Sequence, residues 1–187
     1  MKTTLLLVLL SVVRAFAGSS CVEAVLQSPA QDTLPVPSDV PDLLFYIQRD
    51  PNANTVCYVL NFNRDGALDI RSPIRIFWIK YAEKGERKEL TYAQRKFAYG
   101  IKVRRQGADE YEITLNVCPK RLLYLRKGAD GSFHIYTMIS SRNCTLQRVF
   151  IRITGGTKLS PDVEYVELTG RDLQNGKAMA ERIKVTV

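Results

Sequence analysis

The run KELTYAQRKFAYGIKVRR, residues 88–105, sets Tyr92, Phe97 and Tyr99 among Arg95, Lys96, Lys102, Arg104 and Arg105. Cations interleaved with aromatic rings can hold phosphate, carboxylate or sulfate groups, or stack on bases. A packed helix with a solvated basic face has the same composition. Thr91 followed three residues later by Gln94 forms a capping box, and Gly100 suits a left-handed residue just past a helix end. Ala93 and Phe97 add an i, i+4 apolar pair. Together they predict one short helix over about 91–99 that cannot stand alone and must dock. Tyr92, Phe97 and Tyr99 are then expected to pack rather than to stack on a ligand. With Phe97 inward, Arg95 and Lys96 cannot both face the core. The candidate anion set is therefore Arg95, Lys96, Lys102 and Arg104, flanked by Tyr92 and Tyr99.

Charge along the chain sharpens that choice. Residues 71–127 carry fifteen Lys/Arg against six Asp/Glu, whereas residues 18–70 carry two against seven and residues 128–187 eight against six. Either neighbours such as Glu83, Glu86 and Glu89 pair with these cations on solvated faces, or the fold gathers them into an anion site. Suitable ligands are a lipid head group, a lipopolysaccharide phosphate or an acidic glycan.

Three other constellations invite chemistry. Asn61, Asn63, Asp65, Gly66 and Asp69 repeat the front half of a calcium loop, whose alternating oxygens wrap a hard cation. Ser72 stands where a closing Glu belongs, so an Asn/Asp/Gly hairpin turn explains the same residues, and calcium is the one cofactor the sequence admits. Cys21, Cys57, Cys118 and Cys144 have no short paired spacing, which excludes zinc and redox motifs. In an oxidising compartment Cys118 and Cys144, each near a turn, are expected to bridge, with Cys57 a buried thiol. His134 is the only histidine and sits in mid-strand with Tyr136 and Met138 on its face. Glu110, Glu112 and Glu164 have nothing that makes them converge. No catalytic signature is legible, and the reading leans away from an enzyme, a hydrolase being the weaker alternative.

These residues are positioned by strands. TVCYVLNF puts Val56, Tyr58, Leu60 and Phe62 on one face, EYEITLNV does so with Tyr111, Ile113, Leu115 and Val117, and RVFIRIT with Val149, Ile151 and Ile153. Asp65-Gly66, Asp130-Gly131, Gly155-Gly156 and Asn175-Gly176 mark turns between such runs. About ten short strands without alternating helices predict a mainly β chain, a single antiparallel β-barrel or sandwich. In IRIFWIKYA both faces are apolar, Ile74, Ile76 and Trp78 on one and Phe77, Ile79 and Tyr81 on the other. The lone helix is its expected cover.

The ends complete the organisation. Lys2, the apolar run Leu5 to Val13, and Ala15 and Ala17 read as a secretory leader over 1–17, since about nine apolar residues fall well short of the roughly 20 that span a bilayer. GSSC also leaves open lipidation of Cys21. Residues 18–41, with four prolines and no aromatic, read as a flexible tether, and 42–187 as one β-rich domain without a transmembrane span. Export and the absence of a nucleic-acid motif exclude nucleic acid.

The segments DLLFYIQRDPNANTVCYVLNFNRDGALD, IFWIKYAEKGERKELTYAQRKFAYGIKV, LLYLRK and FIRITGGTKLSPDVEYVELTGRDLQNGKAMAERIK resemble a domain-of-unknown-function family of exported Bacteroidota proteins, the one numbered 4833. The resemblance covers roughly residues 42–184 and transfers no activity, cofactor or catalytic residue. It implies a bacterial envelope location, periplasmic or extracellular. Two functions fit: a non-catalytic binding module for an anionic or amphipathic ligand, with an envelope lipid or glycan as partner, or a structural or assembly protein that docks another envelope protein. An interior cavity lined by Tyr, Phe and Ile favours the first, a filled interior with an exposed apolar patch the second.

Overall fold

The structure, a computed structural model, describes residues 34–50, 52–157 and 161–185. The expected leader, Cys21 and the first part of the expected tether lie outside the described residues.

Eleven strands form one sheet. The first half-sheet holds β1 (Leu43–Arg49), β2 (Asn52–Leu60), β3 (Ile74–Lys80) and β4 (Glu86–Glu89). The second holds β5 (Ile101–Arg105), β6 (Glu110–Leu115), β7 (Cys118–Lys127) and β8 (Phe133–Ile139). They are joined by β9 (Arg142–Gly156), which also pairs with β10 (Pro161–Asp172), itself paired with β11 (Ala178–Lys184). One edge of β9 takes β8 along 142–145 and then β1 along 148–151, while β10 runs along the other edge. Both half-sheets hang from the same edge and diverge, so the sheet curls into a half-barrel with β4 and β5 as its free ends. All named pairs are antiparallel except β1 with β9.

Alternation places the core as the sequence predicts. Val56, Tyr58, Tyr111, Ile113 and Leu115 are buried, and Val149 and Ile151 join them from β9. Leu60 and Val117 are partly buried against the core, while Phe62, beyond the strand end, is exposed. Leu146 and Val149 share the inner face although three residues apart, because the β9/β10 register skips Gln147: Leu146 faces Gly170 and Arg148 faces Thr169. The bulge resets the parity of β9 and lets its 15 residues serve both half-sheets. The interior is filled by fully buried side chains, Tyr58, Tyr111 and Phe45 the largest.

Both faces of β3 are covered, but not as expected. Phe77 and Ile79 on its outer face pack with Cys57, Val59, Val40 and Leu43. Residues 34–43 thus cover the outer face, and the helix expected as the cover meets β3 only on its inner face. Gln48 Nε2 donates to Pro35 O at 2.7 Å and an Arg87 Nη donates to Asp39 O at 2.8 Å. These bonds lay the described part of the expected tether, residues 34–41, against the sheet. An extended proline-containing segment can do this because each of its carbonyls is free to accept a side-chain donor.

Candidate functional site

The helix meets β3 on its inner face, at Trp78, and lies across the seam between β4 and β5. It begins as α1 (Tyr92–Gln94) and widens into a π turn, Arg95–Tyr99. The capping box is present: Gln94 N donates to Thr91 Oγ1 at 3.3 Å and Thr91 N to Gln94 Oε1 at 2.9 Å. Trp78 Nε1 also donates to Gln94 Oε1, at 3.3 Å, from the inner face of β3. From the other half-sheet Asn116 Nδ2 donates to the carbonyls of Arg95 and Lys96 at 2.9 and 3.0 Å. Tyr58 Oη donates to Tyr99 O at 2.7 Å, and the Tyr99 ring meets Trp78 edge-on at 5.0 Å. The seam is therefore closed by polar bonds and by Tyr99 and Leu90, both buried.

Two expectations about this helix are corrected. Gly100 is not left-handed; its φ of −70° and ψ of 165° are ordinary extended values. Glycine is required there because a Cβ would overlap the Arg95 carbonyl oxygen. Tyr92 and Phe97 do not pack, and both are exposed with Ala93. The reason is the way the segment is held: its flanks and backbone carry the docking, and the wider π turn leaves Phe97 on the solvent side. Of the three aromatics only Tyr99 is a core residue. Burial raises its phenol pKa, with the Arg49 charge opposing.

The expected anion set is divided between two surfaces. On the seam, an Arg95 Nη binds Glu89 at 2.6 Å, while Lys96 lies over the Tyr92 and Phe97 rings. Lys102 and Arg104 point to the outer face of the second half-sheet, where an Arg104 Nη meets Glu112 at 2.7 Å. Cross-strand registers extend that face: Arg104, Glu112, Tyr124, Tyr136 and Thr145 form one row, and Lys102, Thr114 and Leu122 the next.

Beside these rows lies a groove of about 380 Å³. Leu122, Tyr124, Tyr136 and Met138 form its apolar floor, and Lys120, Arg121 and Arg126 supply its charge. None of its lining residues is acidic. Arg121 is held in place, donating to Met138 O at 2.8 Å and to the Glu181 carboxylate at 2.6 Å. Arg126 stacks over Tyr136 at 5.0 Å and Tyr124 at 5.6 Å, and meets Glu110 only at 3.6 Å. Sequence reasoning missed Lys120, Arg121 and Arg126. The signal was present in RLLYLRK, where Leu123 and Leu125 claim the inner face and leave Leu122, Tyr124 and Arg126 outside.

The other constellations resolve into structure. Phe62 and Leu68 pair across a hairpin in which Asn63 N donates to Ala67 O at 2.7 Å. Asp65 Oδ1 accepts from Ala67 N at 3.2 Å, Asp69 Oδ1 from Arg71 N at 2.9 Å, and Asn61 Nδ2 donates to Ser72 O at 2.8 Å. The side chains of Asn61, Asp65 and Asp69 thus bond the local backbone, as in an Asn/Asp/Gly hairpin turn, and Asn63 takes part through its backbone. Among the described residues no cluster of three or more His, Cys, Asp or Glu is placed to hold a metal. His134 Nε2 lies 2.9 Å from Asp130 Oδ2, on a wider cleft of about 750 Å³ that mixes Asp42 and Asp109 with Lys127.

The expected Cys118–Cys144 bridge is not formed; both are free thiols, as is Cys57. Cys144 is buried in the core, whereas Cys118 is half-buried at the start of β7, so the two face different surroundings. Burial pushes the Cys57 thiol up to about 12, with the Arg87 charge opposing. At pH 8 about one such thiol in ten thousand is ionised, too few for reaction. Of Cys57, Cys118 and Cys144 in unreduced native protein, iodoacetamide is expected to take Cys118 first and the other two only after unfolding. Protection of Cys118 until a reductant is added would restore the bridge.

The fold and groove define a mainly β domain with a filled core and a basic, aromatic outer face. By its sequence the chain belongs to the family described as "Domain of unknown function (DUF4833)", whose model matches residues 45–182. No curated protein and no solved structure matches it. Among the described residues no helix is long and apolar enough to cross a membrane.

Proposed function

We propose that this is an exported bacterial envelope protein, periplasmic or extracellular, that binds an anionic amphiphile without catalysis through the outer-face groove of β7 and β8. The leader-like residues 1–17 support export, and a lipid on Cys21 is the alternative anchor. The observation that carries the reading is the groove itself, three cations over an apolar floor with no acidic lining residue. A phosphate or carboxylate would meet Lys120 and Arg126, while its alkyl or sugar part lay on Leu122, Tyr124, Tyr136 and Met138. Arg126 suits the task because its guanidinium is already stacked and partly desolvated. The filled interior argues against a ligand carried inside the barrel.

Dodecyl phosphate is a simple probe. Titration calorimetry is expected to show binding that weakens with salt and is absent for dodecanol. The double variant Lys120→Gln/Arg126→Gln should weaken it about ten-fold or more, the effect of losing charge-assisted hydrogen bonds, with the melting temperature nearly unchanged. A wild type that ignores dodecyl phosphate at low salt overturns the reading. A second reading, a structural or assembly protein that docks another envelope protein, is favoured by the filled interior. It gains if the amphiphile is ignored and crosslinks in the envelope recover a second protein.

A further inference from the structure

The seam holds two large rings out in water. Tyr92 is 75% and Phe97 73% exposed, and the Lys96 ammonium sits 5.7 and 5.2 Å from their centroids. This knob is braced by the capping box, by Trp78 on one half-sheet and by Asn116 on the other. Nothing in the folding of the chain is served by the two rings, since neither covers the core.

Charge says what would cover them. Residues 86–105 hold seven Lys/Arg against two Glu, which is five of the formal net charge of +8. Both acids are already engaged, Glu89 with Arg75 and Arg95, and Glu86 with Lys88. Lys102 and Arg104 face the second half-sheet, but at the seam Arg75 and Arg95 share the one carboxylate of Glu89 and Lys96 adds a further cation over the rings, so their surroundings are net basic and the complementary surface is anionic. Shape narrows it further. A protein partner would need a matching pocket for a convex tip, whereas the fluid head-group layer of a bilayer closes around one. Tyr beside Phe and Lys is also the side-chain set that sits well at that boundary, each with an apolar body or stem and, for Tyr and Lys, a polar end.

We propose that Tyr92, Lys96 and Phe97 form an interfacial foot that seats the protein on an anionic lipid surface. The rings enter the boundary between head groups and acyl chains, and Lys96 moves from the rings to lipid phosphate. This foot is separate from the β7/β8 groove and does not depend on it.

The test follows the foot directly. Full-length Phe97→Trp protein is mixed with vesicles of phosphatidylglycerol and phosphatidylcholine, some carrying a spin label high on the acyl chain. Emission is read as the difference from wild type, whose Trp78 is buried. The added indole is expected to shift to the blue and to be quenched by the label, more on these vesicles than on phosphatidylcholine alone. Lys96→Glu in the same background should weaken vesicle binding about ten-fold or more. Protein that stays off the vesicles, or that binds them with the added indole unquenched, overturns the foot; the second result would place the contact on another surface. Lys120→Gln/Arg126→Gln should leave the quenching intact while lowering dodecyl phosphate binding, so failure of the foot and failure of the groove are told apart.

Discussion

Gly170→Ala is expected to destabilise the protein by about 2–4 kcal/mol, which for a domain of this size lowers the melting temperature by roughly 5–15 °C. Gly170 lies on β10 opposite Leu146, where the β9 bulge brings the two backbones together. An added Cβ would overlap the Thr145 carbonyl oxygen and lie 2.9 Å from Ile139 Cδ1. Neither neighbour can give way easily. Thr145 is paired on both sides, with Tyr136 and Arg171, and Ile139 is fully buried. The backbone of Gly170 has no positive φ, so the demand is for space alone. Gly107→Ala is the matched control, its Cβ meeting only Glu110 Cβ at 3.7 Å, and should stay within about 0.5 kcal/mol of wild type. Thermal melts of the two variants decide it. A Gly170→Ala protein as stable as Gly107→Ala would mean that β9 and β10 lie further apart.

Tyr58→Ala should cost about 3–5 kcal/mol, the usual result of removing a buried aromatic ring. Tyr58 is fully buried, its ring stacks on Phe45 at 4.2 Å, and its hydroxyl holds the Tyr99 carbonyl at the seam. Tyr58→Phe keeps the ring and isolates the hydrogen bond, at about 1–3 kcal/mol for a carbonyl left unsatisfied in the core. Alkali should act through the same pair. Burial raises the phenol pKa of both Tyr58 and Tyr99. The folded state therefore holds these protons more tightly than the unfolded chain, whose tyrosines ionise near about pH 10. Their contribution is fully present below that pH and is lost as pH rises toward the folded values. Urea midpoints should begin to fall above about pH 9, where the thiols of the unfolded chain, Cys57 among them, ionise, and should fall more steeply above about pH 10, this second loss being smaller for Tyr58→Phe. Two tyrosinates appearing while the protein is still folded would show that water reaches the seam.

Much of the fold was legible because strand alternation is a local code. In EYEITL the apolar residues at every second position could only form one face, and Tyr111, Ile113 and Leu115 do. The capping box at Thr91 and Gln94 was legible for the same reason, since both partners lie within one turn. The face of the helix was not, because which side packs depends on what crosses the seam. Trp78 and Asn116, 13 or more residues away from the helix, fix it by bonding Gln94 and the Arg95 and Lys96 carbonyls. The groove was half legible. Concentrated positive charge pointed to the stretch, but its members were drawn from the helix and β5, whereas the groove is lined from β7 and β8.

The sequence by itself determined the periodic features: the β class, the inner face of most strands, the capped helix and the basic middle third. Each follows from residues within a few positions of one another, where side-chain direction and backbone propensity act directly. Only the tertiary structure decided which surfaces meet. It seated residues 34–43 on the outer face of β2 and β3, left Cys118 and Cys144 unbridged, turned Tyr92 and Phe97 to solvent and set Arg126 between Tyr124 and Tyr136. The physical reason is the shared edge of β9. Two half-sheets hung from one strand must diverge and curl, and the path of that curl sets every contact across the seam and every row on the outer face.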